Sequence, residues 1–215
     1  MRASAKELIM SNTQNRKRIL LLVQLAIFTA IEIIFAFTVL GSLPIVPGAI
    51  VATLAHIPPL IVAFSLGKWA ALYMGGVMAT CAFVYWNTIG IAFPTAFVFT
   101  PLAANGTFMS AVICIVPRVI FPFLAALIYD ALKTRIKPVP AAAVAAIAGT
   151  IIHSCLVLGL IYVSFYGSSA VGDDFIAFIL AWAGLNAVAE ILVAAAICSA
   201  LVVPLNKVNR LAVSG

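Results

Sequence analysis

Charged residues are scarce in this chain, and their scarcity excludes most soluble folds. Only 8% of the 215 residues are Asp, Glu, Lys or Arg, with six acidic residues and two histidines in total. Hydrophobic residues make up 65% of the chain, and the mean hydropathy is +1.23. A soluble domain of this length could not hide that much apolar surface from water. The composition therefore predicts a chain that lies in a lipid bilayer.

Cysteines are also few, and they carry no recognisable site. Cys81, Cys114, Cys155 and Cys198 all fall in apolar stretches, where free thiols behave as small apolar groups. The chain lacks the phosphate-binding loop Gly-x-x-x-x-Gly-Lys-Ser/Thr and the enzyme patterns His-Glu-x-x-His and Gly-x-Ser-x-Gly. We expect no cofactor, no resident metal and no catalytic residue, and any ATP hydrolysis must come from partner chains.

Six apolar stretches are long enough to cross a membrane, if about 20 residues make one crossing. We predict these spans at 19–40, 49–66, 69–88, 107–130, 139–166 and 175–203. The sequence therefore predicts an all-α integral membrane protein, a compact bundle of six transmembrane helices over residues 19–203. A segment 1–18 precedes this domain and a tail 204–215 follows it.

The basic residues predict the orientation of the bundle. Eleven of the twelve Lys and Arg residues fall in the N-terminal segment, two connecting turns and the tail, which alternate onto one side of the membrane. The opposite loops, 41–48, 89–106 and 167–174, contain neither Lys nor Arg. By the positive-inside rule both termini are cytoplasmic. Because the basic residues are spread over separate segments, we expect contact with lipid headgroups and not with nucleic acid.

Two of the outer loops are unusual for segments exposed to water. Residues 41–48 have the sequence Gly-Ser-Leu-Pro-Ile-Val-Pro-Gly, which cannot continue a helix. Residues 89–106 are long, apolar and aromatic, so we expect them to pack into or over the bundle. This loop is either a lid over a binding site or a re-entrant segment in the headgroup region.

Ionisable side chains inside a membrane are costly, so each of them is a candidate for function. The predicted spans contain Glu32, His56, Arg118, His153 and Glu190. Counted from the outer helix ends, the first four lie about 10–20 Å deep at 1.5 Å per residue. Glu190 lies slightly deeper, with Asn186 one turn above it on the same face. The sequence thus predicts one polar layer near or above the membrane midplane.

Arg118 is the most informative of these residues because a lone guanidinium in the membrane needs an anion. The anion is either Glu32 or Glu190, or the carboxylate or phosphate of a ligand. Two Glu residues outnumber one Arg, so one carboxyl is left to be protonated or to hold a polar or cationic ligand group. His56 either packs at a helix kink or contacts the ligand, and we expect His153 to be structural.

Aromatic and small residues add two further candidate surfaces. Trp86 and Asn87 close the third span and, with Phe99 of the long loop, would form an apolar pocket with few polar groups. The alternative is that Trp86 anchors the helix at the membrane interface. Ala26 and Ala30 are four apart in the first span, and small residues at this spacing let another helix approach closely. That helix could belong to the same bundle.

Together these features resemble the substrate-binding S component of an energy-coupling factor (ECF) vitamin transporter. The resemblance is carried by the Ala26/Ala30 pair, Leu43-Pro44-Ile45-Val46-Pro47-Gly48, Ala55-His56-Ile57-Pro58, Leu66-Gly67-Lys68 and Val116-Pro117-Arg118-Val119. It implies a six-helix bundle in a prokaryotic plasma membrane that binds a vitamin beneath loops 41–48 and 89–106. It also implies that the Ala26/Ala30 face docks on a transmembrane coupling subunit. Two cytoplasmic ATPases would supply energy, and the bundle would topple in the membrane to deliver its ligand.

The Pro44 loop, the His56-Ile57-Pro58 run and Pro117-Arg118 are most similar to the pantothenate-type branch, where Arg118 would suit a carboxylate. Pro59, Glu32 and Glu190 fit no one branch, which leaves folate, a pyrimidine or pyridine vitamin precursor, lipoate or another small nutrient open. The predicted substrate-binding residues are Arg118, His56, Glu32, Asn186, Glu190, Trp86, Asn87 and Phe99. The alternatives are an intramembrane enzyme that uses the His and Glu groups, and a self-sufficient small-solute carrier.

Overall fold

The computed structural model describes residues 2–46, 50–168, 172–182 and 184–214, and the regular structure of these residues is helical apart from one short hairpin. The regular elements are α1 Arg2–Phe37, β1 Ser42–Val46, β2 Ile50–Thr53, α2 Ile57–Leu66, α3 Lys68–Asn87, α4 Phe108–Leu132, α5 Pro138–Phe165, α6 Phe175–Trp182 and α7 Gly184–Ser214. Short 3₁₀ turns lie at Val39–Gly41, Gly90–Ala92 and Ala96–Val98.

Five segments in the described part of the chain are long and apolar enough to cross a membrane. They are Gln14–Phe37, Lys68–Asn87, Phe108–Leu132, Pro138–Phe165 and Asn186–Asn209. Their mean hydropathies lie between 1.3 and 2.5. This confirms the prediction of an all-α integral membrane protein.

The segment predicted as the second crossing, 49–66, is not one continuous helix. Residues 50–53 form strand β2, and α2 has only ten residues, which is about 15 Å of helix. The helix begins at Ile57, and Pro58 and Pro59 fit its first turn because the N–H groups there have no partner within the helix. Most of α2 is buried, including Leu60 and Val62 at 0% exposure. It is therefore a core helix.

The ends of the bundle also differ from the prediction. Helix α1 begins at Arg2, so residues 2–18 continue the first span as one helix. The last predicted span, 175–203, is divided between α6 and α7, and residue 183 lies outside the described residues. Helix α7 continues past 203 to Ser214, through the predicted tail.

The first predicted lid loop supplies the first strand of a two-stranded antiparallel hairpin. Ser42 pairs with Thr53 and Leu43 with Ala52, and residues 47–49 between the strands lie outside the described residues. At the base of the hairpin the Leu54 N–H donates to the Gly41 carbonyl at 2.8 Å. Gly41 is required there, since an added Cβ would lie 1.9 Å from the Phe35 carbonyl oxygen.

The long loop 89–106 packs against the bundle, as predicted. Val98 and Thr100 have 0% exposure, and Val98 belongs to a small apolar cluster with Ile113, Ile161 and Phe178. The loop therefore has its own buried contacts with α4, α5 and α6. Its role as a lid remains a prediction.

Helices α3 and α4 approach closely at Gly75, and this contact helps to position Arg118. A Cβ at Gly75 would lie 2.7 Å from the Arg118 carbonyl oxygen and 2.9 Å from that of Val119. Backbones can come this close only where the side chain is absent. The main core lies beside this contact, where Ala141, Ala145 and Gly149 of α5 face the other helices.

Candidate functional site

A cavity of about 950 Å³ lies at the end of the bundle that carries the hairpin and the 89–106 loop, which is the end predicted to face outward. Its polar wall includes Glu32, Thr53, His56, Arg118, His153 and Asn186. Its apolar wall includes Met78, Tyr85, Trp86 and Phe93. Mostly apolar cavities of this size with a few convergent polar groups are the usual form of small-molecule sites.

Arg118 is held in this wall by its own helix. Pro117 has no N–H, so the Ile113 carbonyl loses its normal helical partner. The Arg118 Nη1 donates to the Cys114 carbonyl at 2.6 Å and reaches the Ile113 carbonyl at 3.5 Å. The guanidinium carbon also lies 5.6 Å from the centroid of the Phe99 ring. The side chain is therefore oriented by carbonyl and aromatic contacts within the protein.

Arg118 forms no ion pair with either candidate carboxylate. The only salt bridge among the described residues joins Lys133 to Asp130 at the far end of α4. The sequence left two partners open for Arg118, an internal Glu or a ligand. Among the described residues Arg118 has no internal ion pair, so its charge remains available to an anion that enters the cavity.

Three other side chains of the wall carry buried polar atoms without a hydrogen-bond partner among the described residues. The unpartnered atoms are the two carboxyl oxygens of Glu32, the Nε2 atom of His56 and the Nε2 atom of His153. Glu32 has 0% exposure and His56 has 3%. An unsatisfied buried polar group costs about 1–3 kcal/mol, and native structures contain few of them. Their convergence on one cavity is typical of a site built for a polar ligand.

His153 also has a packing contact, in keeping with the structural role expected for it. Its ring lies 4.7 Å from that of Phe121, which is fully buried. The same side chain nevertheless borders the cavity. Its position is therefore compatible with packing on one side and a ligand on the other.

Glu190 makes a different contact from the one the sequence suggested. Its Oε1 accepts hydrogen bonds from the backbone N–H of Thr53, at 3.1 Å, and from the Thr53 hydroxyl. Thr53 borders the cavity, whereas Glu190 is not part of its wall. Asn186, one turn earlier on α7, does border it. Glu190 thus joins α7 to the hairpin beside the cavity.

The aromatic residues predicted for the site lie in two layers. Trp86 borders the cavity, and Phe99 stacks on it with ring centroids 4.7 Å apart. Asn87 lies behind this wall, where its amide donates to the Phe83 carbonyl at 2.7 Å and its oxygen accepts from the Thr100 hydroxyl at 2.5 Å. Asn87 therefore ties the long loop to α3. Direct ligand contact by Asn87 or Phe99 remains a prediction.

Several residues of the wall were not predicted as site residues, among them Thr53 and Phe93. Thr53 is brought to the cavity by the hairpin, and a helix was predicted in its place. Phe93 is one of several aromatic residues in the long loop, and only the folded loop distinguishes it from the others.

Ala26 and Ala30 are both exposed on α1, on a face that also carries Ile27. The opposite face of the same helix contains the buried residues Gln24 and Glu32. Nothing in the described part of the bundle covers the small-residue pair. The described part of the bundle therefore shows no internal packing on this face, and docking on a partner helix remains a prediction.

The described residues also bear on the enzyme alternative. No group of three His, Cys, Asp or Glu side chains among them is placed to hold a metal ion. The His and Glu groups proposed as metal ligands do not form such a cluster in this part of the chain.

Comparison with known proteins identifies a family whose model covers most of the chain. The family model described as ECF transporter, substrate-specific component, matches residues 20–204, which include every residue of the cavity wall named above. No curated protein matches the chain.

Proposed function

Because this chain belongs to the family of substrate-specific components of ECF transporters, we propose that its outer cavity captures a small water-soluble vitamin. As a member of this family the chain is a multi-pass membrane component of an importer and not an enzyme. The substrate favoured here is a vitamin acid, and among those acids pantothenate.

The unpaired Arg118 in the cavity wall carries this proposal. A guanidinium binds a carboxylate through two parallel N–H donors, and such charge-assisted bonds are stronger than neutral ones. Only Nη1 of Arg118 takes part in the hydrogen bonds to its own helix. The remaining donors of the guanidinium can therefore bind the acid group of a ligand.

The apolar wall supports a small organic acid over an inorganic anion. Tyr85, Trp86 and Phe93 offer a broad aromatic surface, which contributes binding energy to the carbon skeleton of a ligand. An inorganic anion has no carbon skeleton that could pack against this surface. Pantothenate combines a carboxylate with a branched apolar skeleton.

The exposed Ala26/Ala30 face supports docking on a partner helix. Small side chains allow helix backbones to approach closely within a membrane, and this pair is not covered by the described part of the chain. We assign it to a transmembrane coupling subunit. Two partner ATPases would drive the cycle, and toppling of the loaded bundle would carry the vitamin to the cytoplasmic side of a prokaryotic plasma membrane.

A titration with matched ligands tests the proposed substrate. The purified chain is titrated with pantothenate and with pantothenol, in which a hydroxymethyl group replaces the carboxylate. We expect pantothenate to bind at least about 10-fold more tightly, the lower end for a lost charge-assisted hydrogen bond. Equal affinities would contradict the acid-binding role of Arg118. Failure to bind any vitamin of a broad panel would contradict the proposed function itself.

A further inference from the structure

We propose that the cavity recognises a second group on its ligand, and that Glu32 accepts hydrogen bonds from ligand hydroxyl or N–H groups away from the acid. This inference rests on the proposed function, because it takes the ligand to be an acid bound by Arg118. It narrows the substrate class to carboxylic acids that also carry neutral hydrogen-bond donors.

The Glu32 carboxyl group has no hydrogen-bond donor among the described residues, so we expect a ligand to supply one. Both carboxyl oxygens are buried at the cavity wall and lack a hydrogen-bond partner among the described residues. A carboxyl group accepts hydrogen bonds whether or not it is protonated, and in the ionised form its two oxygens offer about four acceptor positions. A ligand with several O–H or N–H groups can satisfy them.

Polar groups near Glu32 already have other partners. The Thr29 hydroxyl, on the preceding turn of α1, donates to the Met74 sulfur at 3.7 Å. The Gln24 amide, two turns below Glu32, donates to Asn209 at 2.8 Å. Arg118 donates to the Cys114 carbonyl. The Thr29 and Gln24 donors are therefore engaged elsewhere, and the Arg118 guanidinium lies more than 4.0 Å from the Glu32 carboxyl oxygens.

His56 and His153 extend the same end of the site. Each has a buried Nε2 at the cavity wall without a hydrogen-bond partner among the described residues. A neutral imidazole nitrogen donates or accepts according to its tautomer, so both can complement ligand hydroxyls. The wall thus combines one cationic group for an acid with several groups suited to neutral polar atoms.

This arrangement predicts selectivity among vitamin acids. Pantothenate carries hydroxyl and amide N–H donors in addition to its carboxylate, whereas lipoate and nicotinate carry no such donor. A site built to hydrogen-bond a substrate rejects an analogue without the matching groups, because its buried polar atoms stay unpaired. We therefore expect pantothenate to bind at least about 100-fold more tightly than either of the other two acids.

The test compares this preference in three chains: the natural chain, Glu32→Gln and Glu190→Gln. Glu32→Gln keeps the shape of the side chain but replaces one acceptor oxygen with an NH₂ donor. It should reduce the preference for pantothenate over lipoate by about 10-fold or more. Glu190→Gln makes the same chemical change outside the cavity wall, so it should change the affinities for both acids by the same factor.

The outcomes separate the inference from the proposed function. Equal binding of the three acids, or an unchanged preference in Glu32→Gln, would overturn the role of Glu32 while acid binding by Arg118 stands. Absence of binding by all three acids to the natural chain would contradict the proposed substrate and this inference together. If Glu32→Gln does not fold, Glu32→Asp retains the carboxylate on a shorter side chain. It should then lower the preference by a smaller factor, and an unchanged preference would again overturn the inference.

Discussion

Arg118 and Glu32 border the same cavity, yet no nitrogen of the Arg118 guanidinium lies within 4.0 Å of a Glu32 carboxylate oxygen. Opposite charges in a medium of low dielectric attract strongly, and a buried pair is the usual arrangement. Here Arg118 is turned toward the carbonyls of its own helix, and Glu32 has no partner among the described residues. Because the two groups do not pair with each other, each of them can bind a different part of a ligand.

Replacement of Arg118 tests the acid-binding group directly. Arg118→Leu should weaken binding of an anionic vitamin by about 1.5–3 kcal/mol, because a charge-assisted hydrogen bond is lost. Arg118→Lys serves as the control, since it keeps the charge without the planar fork and should retain part of the affinity. Titration calorimetry in detergent gives the values. Unchanged affinity in a folded Leu variant would assign Arg118 to a structural role.

Enlargement of the small-residue face tests the docking surface. Ala26→Trp combined with Ala30→Trp should leave ligand binding intact and abolish co-purification with the coupling subunit, because two indoles prevent close helix approach. Val163→Trp on α5 is the matched control, since Val163 is 78% exposed and lies on a different helix. Loss of ligand binding in the double variant would show that the face packs internally, contrary to the structure.

The hydrogen bonds between Glu190 and Thr53 predict that Glu190 holds the hairpin against the cavity. Glu190→Gln and Thr53→Val should each raise the dissociation rate constant of the ligand, since each weakens the same contact. In the double variant the effects should be non-additive by about 0.5–3 kcal/mol, as for residues in direct contact. Stopped-flow measurement of ligand release gives the four rate constants. Strictly additive effects would show that the contact does not restrain the hairpin.

Adjacent glycines in α3 offer a matched test of helix packing. Gly75→Ala should destabilise the bundle by about 1–3 kcal/mol, because its Cβ would lie less than 3 Å from two backbone oxygens of α4. Gly76→Ala should be neutral or slightly stabilising, since a Cβ there meets nothing within 4 Å and Ala favours helix. Thermal unfolding in detergent compares the two. Equal melting temperatures would contradict the close contact between α3 and α4.

Much of the fold is predictable from hydropathy, because a bilayer allows few alternatives to long apolar helices. The hairpin could not be predicted from the sequence for a physical reason. Residues 50–53 continue an apolar run into α2, and a short apolar run does not distinguish strand from helix. The hairpin instead forms where Gly41 permits a close turn against Phe35, a contact that sequence periodicity does not reveal.

Several residues of the candidate site could be predicted from the sequence, but the contacts between them could not. The cost of burying ionisable groups was enough to select Glu32, His56 and Arg118, and the fold brings all three to one cavity. Which of them pair with each other depends on distances between helices. The contact between Glu190 and Thr53 joins residues 137 positions apart in the chain, and no local pattern predicts it.

The most direct test of the account is mass spectrometry of small molecules released from the purified chain, followed by titration of the compound that is found. We expect one vitamin-sized carboxylic acid with additional hydroxyl or N–H donors, recovered at about one molecule per chain. A neutral or cationic compound would contradict the role given to Arg118. A chain that carries no small molecule and binds no member of a vitamin panel would contradict the proposed function in vitamin capture.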